Sequence, residues 1–243
     1  MTNTLFIEDW GRIGYQKAWD RQTSYQQRLV ELKRSARRNG EERTEGQHYL
    51  ILCEHDPVFT LGKSGDDRHL LVNETFLEKQ GITFHRINRG GDITYHGPGQ
   101  LVVYPILDLE FFFTDVHRYI RTLEEIVIRT MEHFGVAGRR IDEFTGVWTG
   151  NLPSRKICAI GVHLSRWVSM HGLAFNIHTD LSHFNLIVPC GINQEGMAVT
   201  SLSKELNSEI NMDEVKKVFV DQFIQLFKIS QCEQKKPPAI PLL

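Results

Sequence analysis

Arg89-Gly90-Gly91-Asp92-Ile93-Thr94-Tyr95-His96-Gly97-Pro98-Gly99-Gln100 places four glycines within ten positions, Gly90 to Gly99. It lies between two apolar runs, 83–87 and 101–107, that read as strands. The order G-x-G-x-x-G of a dinucleotide fingerprint is missing, and no Gly-Lys-Ser/Thr closes the segment as a phosphate loop. Paired glycines let a backbone bend sharply and let another group come close to it. A hairpin connection needs only two to five residues. A segment this long, dense in Arg, Asp, Thr, Tyr, His and Gln, exceeds that need and is a candidate site. The competing reading is a decorated hairpin loop.

Outward from this segment the pattern alternates between short apolar runs and a few long helices. Residues 15–38 read as a helix with Tyr15, Ala18, Trp19, Gln22, Gln26 and Leu29 on one face, and Asn39-Gly40 stops it. Residues 49–53 read as a buried strand, and Asn73 caps a short helix that ends at Gly81. Residues 115–134 form a second amphipathic helix, stopped by Gly135. Strand-like pieces follow at 146–148, 157–164, 167–170 and 173–177. Asn211 and Glu214 open a last helix over 213–227. Short strands that do not alternate with helices give an α+β domain with a mostly antiparallel sheet.

Composition narrows the function classes. The chain has 243 residues, 41% of them hydrophobic, enough for a full core. A formal charge of −2 gives no reason to expect a nucleic-acid binder. The start shows no basic region followed by a long apolar run, so no signal peptide is expected. No stretch approaches the roughly 18 apolar residues of a membrane span. The expectation is a cytoplasmic protein with one domain over 1–230 and a mobile tail over 231–243.

Cys53, Cys158, Cys190 and Cys232 share no C-x-x-C spacing, which argues against a structural zinc site. Cys53 and Cys158 sit in apolar runs and read as small hydrophobes. Cys190 differs: Leu186-Ile187-Val188-Pro189 precedes it and Gly191 follows. Pro189 is rigid and Gly191 permits a tight turn, so the thiol is presented at the end of a strand. A nucleophilic thiol needs a partner that takes its proton. Local context leaves Lys156 as a lysine at a strand end, either surface or partly desolvated. His96 and His171 are each open to three roles: base, orienter or satisfied core residue. No metal-ligand spacing such as H-E-x-x-H occurs, so no metal is expected.

The glycine-rich segment resembles the signature of the lipoyl(octanoyl) transferases, the lipoate-protein ligase B family. Three further segments are similar to that family's motifs in order and spacing: Glu54-His55-Asp56-Pro57-Val58-Phe59-Thr60-Leu61-Gly62, Arg155-Lys156-Ile157-Cys158-Ala159-Ile160-Gly161, and Pro189-Cys190-Gly191-Ile192. The resemblance runs from about residue 5 to 227.

It implies the fold of the biotin and lipoate protein ligase catalytic domains, mostly antiparallel sheets flanked by helices. It implies Cys190 as the acyl-thioester nucleophile and Lys156 as the residue that lowers the thiol's pKa and shuttles protons. Arg89, Gly90, Gly91, Asp92, Ile93, Thr94, Tyr95 and His96, with Ala159, Ile160, Gly161, Gly172, Leu173 and Ala174, would form the substrate pocket. The donor would be octanoyl-acyl carrier protein. The acceptors would be lipoyl-domain proteins, namely 2-oxoacid dehydrogenase E2 subunits and the glycine cleavage H protein. No cofactor is implied. An eight-carbon acyl chain, whose methylenes number about six, supplies about 5 kcal/mol of binding at roughly 0.8 kcal/mol per buried methylene. Arg139, Arg140 and Arg155 are candidates for meeting an acidic carrier. Two alternatives remain: an ATP-dependent lipoate or biotin ligase on the same fold, and a non-catalytic acyl-binding module.

Overall fold

The computed structural model describes residues 2–188 and 196–235. In chain order the strands and helices are β1 (Thr2–Arg12), α1 (Tyr15–Asn39), β2 (Glu45–Glu54), β3 (Val58–Leu61), α2 (Glu74–Lys79), β4 (Thr83–Arg86), β5 (Ile93–His96), β6 (Gln100–Ile106) and α3 (Val116–His133). The second half adds β7 (Arg139–Ile141), β8 (Phe144–Thr149), β9 (Ser154–Ser165), β10 (Val168–Asn176), β11 (Met197–Val199), α4 (Leu202–Leu206), α5 (Met212–Phe227) and β12 (Gln231–Gln234).

The helices begin and end where side chains satisfy their free backbone groups. Asp115 accepts from the Arg118 N–H at 3.0 Å and starts α3. Asn73 accepts from the Phe76 N–H at 2.8 Å for α2, and Asn211 from the Asp213 N–H at 2.8 Å for α5. Such caps contribute about 1 kcal/mol each. Gly40 ends α1 in the left-handed conformation, its N–H turned back to Ala36 and Arg37.

A large sheet runs in the order β12-β1-β2-β6-β10-β9-β8-β7, with β11 beside β9; a small sheet runs β4-β3-β5. The middle of the large sheet is antiparallel, from β2 through β6, β10, β9 and β8 to β7. Parallel pairs join β1 to β2 and to β12, β9 to β11, and β3 to β4. One face packs Leu50, Leu101, Leu173 and Phe175 against Leu123 and Val127 of α3 and Phe219 and Phe223 of α5. The other face packs Ile51, Val102 and Tyr104 against Ala18, Leu29 and Val30 of α1. Each Leu or Phe so buried contributes about 1.5–3 kcal/mol.

Three details depart from the sequence reading. The pieces 167–170 and 173–177 are one strand, β10, bent where His171 takes φ +61°. Gln22 and Gln26 of α1 support that bend. The Gln22 side chain accepts from the His171 N–H at 3.1 Å, and Gln26 donates to the Val168 carbonyl at 2.9 Å. The glycine-rich segment is not one loop, since Ile93–His96 pairs with β3. The tail expected from residue 231 opens with a strand, β12, paired to β1 through Gln231–Gln234; residues 236–243 lie outside the described residues. No described helix is long and apolar enough to cross a membrane.

Candidate functional site

The site starts from small residues on neighbouring strands. Gly161 faces Gly172 and Ala159 faces Ala174 across β9 and β10. These pairs leave one stretch of sheet nearly free of side-chain bulk. The glycine-rich segment lies over it, held by the Gly90 N–H donating to the Val162 carbonyl at 3.0 Å. The approach is backbone to backbone. A Cβ on Gly161 would stand 2.8 Å from the Gly90 oxygen, and one on Gly62 would stand 2.2 Å from the Gly91 oxygen.

Between floor and cover is a cavity of about 420 Å³, within the range of small-molecule sites. Every residue from Arg89 to His96 lines it except Tyr95, as do Ala159, Ile160, Gly161, Gly172, Leu173 and Ala174. Tyr95 is the correction. Alternation along β5 sends Thr94 and His96 to the cavity and Tyr95 the other way, where it packs on Phe59 and stacks on His183 at 4.6 Å.

The wall is rigid because its polar groups are bonded to one another. Arg89, 8% exposed, donates to the Thr60 carbonyl at 2.6 Å, to its hydroxyl at 3.0 Å and to the Gly90 carbonyl at 3.1 Å. Asp92 accepts from the Ile93 N–H at 2.7 Å and the Asp66 N–H at 3.2 Å, and bonds the His69 ring, so it ties the wall to the turn at 66–69. Gln100 donates to the Tyr95 carbonyl at 3.1 Å and to Asn176 at 2.9 Å. Its oxygen can only accept, so His96 Nδ1, 2.8 Å away, carries the proton.

Two buried histidines of the wall are uncharged. Burial pushes His96 down to about 3, helped by nearby His55 and Arg89. Burial and the Arg89 charge bring His171 to about 3 as well, and its Nε2 bonds the Asn88 side chain at 2.6 Å. Of the three roles left open, their surroundings are those of satisfied core residues.

Lys156 lines the same cavity from β9. Its ammonium lies 5.1 Å from the centre of the Trp148 ring on β8, its stem runs past Gly146, where a Cβ would approach within 2.9 Å, and its carbonyl accepts from the Thr200 N–H at 2.9 Å. Cys158 lies two residues on, fully buried, and burial pushes its thiol up. Cys53 is buried with the same consequence. Neither sulfur is suited to form a thiolate.

Cys190 lies outside the described residues. The chain on either side is placed. The Val188 N–H donates to the His69 carbonyl at 2.8 Å, and the Gly196 carbonyl accepts from the Ser154 N–H at 2.8 Å. Beyond Gly196, β11 pairs with Ser154–Lys156.

The three arginines considered for carrier docking are engaged within the chain. Arg140 pairs with Glu124 and Glu125, Arg155 with Glu205, and Arg139 donates to the Gly150 carbonyl and Ser154. Other contributors were not legible in the sequence. Tyr15 of α1 and Val102 and Tyr104 of β6 line the cavity from two separate elements, and only the packing of α1 on the sheet brings them together. Among the described residues no group of three or more His, Cys, Asp or Glu could hold a metal ion.

Residues 24–224 match the family model described as the lipoyl protein ligase A/B catalytic domain. The chain is 50% identical over 230 residues to the octanoyltransferase of Flavobacterium psychrophilum, covering 93% of this chain and 98% of that one. It is 48% identical over 230 residues to the octanoyltransferase of Cytophaga hutchinsonii, covering 93% of each. A bipartite lipoate protein ligase of Thermoplasma acidophilum superposes with a TM-score of 0.70 at 17% identity, over 98% of this chain and 88% of that one. A lipoate-protein ligase A bound with ATP gives 0.70 at 17%, over 98% and 90%. These two structures share the fold.

Proposed function

We propose, from the premise that this chain belongs to the lipoyl protein ligase A/B catalytic-domain family, that it is an octanoyltransferase moving an octanoyl group onto a lysine of lipoyl-domain proteins. The observation that carries this is near-half identity, over almost the whole chain, to relatives that are octanoyltransferases. A cavity with a small-residue floor, walled by uncharged histidines and edged by a lysine, suits an acyl chain with a reactive end.

The finer reading names the groups. The donor is octanoyl-acyl carrier protein. Cys190 attacks its thioester carbonyl, a new carbon–sulfur bond forms, and the carrier's thiol leaves. A lysine amine of the acceptor, an E2 subunit or an H protein, then attacks the Cys190 thioester. An amide forms and the Cys190 thiol is released. Lys156 takes the Cys190 proton in the first step and passes it to the departing carrier thiolate; in the second it takes a proton from the incoming amine and returns it to the Cys190 sulfur. Thioester for thioester is near neutral in energy, and amide formation runs downhill, so no ATP enters. Chain connectivity supports the pairing: Cys190 is two residues from Val188, a span of at most about 7 Å. It is six residues from Gly196, which is bonded to the strand that carries Lys156. We take residues 1–230 as a single catalytic domain working in the cytoplasm, with Arg89–Thr94, His96, Ala159–Gly161 and Gly172–Ala174 binding the chain.

The test supplies octanoyl-acyl carrier protein, a lipoyl-domain acceptor and the enzyme without nucleotide. Acceptor lysine acylation is expected. Transfer only from free octanoate with ATP would replace this reading with that of an adenylating ligase.

A further inference from the structure

We propose that Glu205 is a positioning residue for Lys156, acting through Arg155 and Thr200. The inference rests on the reading of Lys156 as the proton carrier in acyl transfer.

Glu205 sits at the end of the short helix α4. Arg155 donates to both of its oxygens, at 2.8 and 2.7 Å, in a bidentate pair. The Thr200 hydroxyl donates to one of them at 2.6 Å. Both partners are tied directly to Lys156. Arg155 precedes it on β9, and the Thr200 N–H donates to the Lys156 carbonyl at 2.9 Å, one step beyond the Val199–Lys156 pairing of β11 with β9. The Thr200 carbonyl is held in turn by Asn176 at 3.0 Å, which is bonded to Gln100 of the cavity wall. One carboxylate therefore closes a ring through α4, β11 and β9 around the lysine's backbone.

The pair is well shielded, with the Glu205 side chain 12% and the Arg155 side chain 29% exposed. The hydrogen bond to Arg155 holds the Glu205 carboxyl below the usual carboxylate range, and Arg155 is raised in return. Glu205 is thus the fixed counter-charge for a guanidinium one residue from Lys156. Removing it leaves Arg155 unopposed on the opposite face of β9, and its charge, acting through the strand, disfavours a second positive charge at Lys156. Removing Arg155 does the opposite and leaves a carboxylate that favours the ammonium.

The experiment measures kcat and KM of octanoyl transfer from pH 5.5 to 10 for the full chain, for Glu205→Gln, for Arg155→Gln and for the double variant. Glu205→Gln is expected to lower kcat about tenfold, the size of effect a small misplacement produces, with KM for the donor unchanged. Its pH midpoint moves to lower pH. Arg155→Gln moves the midpoint to higher pH. The double variant returns it toward wild type, because neutral partners leave no net charge. Glu205→Asp, which keeps the charge, keeps the wild-type midpoint. Should Glu205→Gln fail to fold, the upward shift in Arg155→Gln and its cancellation in the double variant still decide. Midpoints that do not move, or that move in the same direction in both single variants, overturn the proposal. Wild-type protein is assayed first: a wild type that transfers no acyl group removes the reading of Lys156 itself, before any variant is compared.

Discussion

Gly62 and Gly91 touch backbone to backbone: a Cβ on Gly62 would stand 2.2 Å from the Gly91 carbonyl oxygen. The contact stacks the small sheet's β3 end on the glycine-rich segment, and Gly161 presses the same segment from below. Gly62→Ala must push the two chains apart, at a cost of about 1–3 kcal/mol. Gly90→Ala meets only the Val162 oxygen, at 3.6 Å, and should range from neutral to about 1 kcal/mol more stable. Urea unfolding of both variants checks this, and equal effects would contradict the packing argument.

Lys156 is held by Trp148, Gly146 and Thr200. Lys156→Met keeps the stem and loses the ammonium. Octanoyl transfer should slow by about 10²–10⁴-fold, with little change in melting temperature, and Cys190 should alkylate more slowly at neutral pH. Near-wild-type transfer would remove Lys156 from the mechanism.

Chain-length selection should respond to the floor of the cavity. Gly91 takes φ +86°, so a side chain there strains the backbone whatever the ligand, and Ala159 is the cleaner position. Ala159→Val adds two methyl groups on the acyl side. At roughly 0.8 kcal/mol for each displaced methylene, transfer of the eight-carbon donor should fall about tenfold more than that of the four-carbon donor. Equal losses would mean that the chain does not lie on this floor.

How much of this was legible in the sequence follows from the range of the interactions. Asp115, Asn73 and Asn211 announce their helices because a cap acts within three residues. The glycine-rich segment drew notice through composition, yet β5 inside it forms only because β3 lies alongside. The first strand forms by pairing with β2, and β12 by pairing with β1 across more than two hundred residues, which no local pattern encodes. The same holds for the site. The resemblance supplied Lys156, whose local context is that of a strand-end lysine, while Trp148 and Thr200 beside it come from pairings of β8 and β11 with β9. Tyr95 was grouped with its neighbours in the pocket because the resemblance implied the whole run from Arg89 to His96, and strand alternation turns it away.

Stability should depend on pH through the buried histidines. Burial lowers His96 and His171 to about 3 and His55 to about 4, against about 6.5 in an unfolded chain. Between those values the unfolded state binds more protons, so stability rises with pH there and is flat above. As pH falls from about 6.5, each histidine removes up to about 1.4 kcal/mol per pH unit, down to about 3 for His96 and His171 and about 4 for His55. His96→Gln should flatten the acid limb of melting temperature against pH. An unchanged limb would place the acid sensitivity elsewhere.

The most direct test of the account is intact-protein and peptide mass spectrometry after mixing the enzyme with octanoyl-acyl carrier protein in the absence of ATP and acceptor. The prediction is one octanoyl group, on Cys190, that hydroxylamine removes and that a lipoyl-domain acceptor discharges. Cys53→Ser and Cys158→Ser should acquire it as wild type does, and Cys190→Ser should acquire none while keeping its melting temperature. An acyl group found on another residue, or transfer to the acceptor by folded Cys190→Ser at the wild-type rate, would contradict the account.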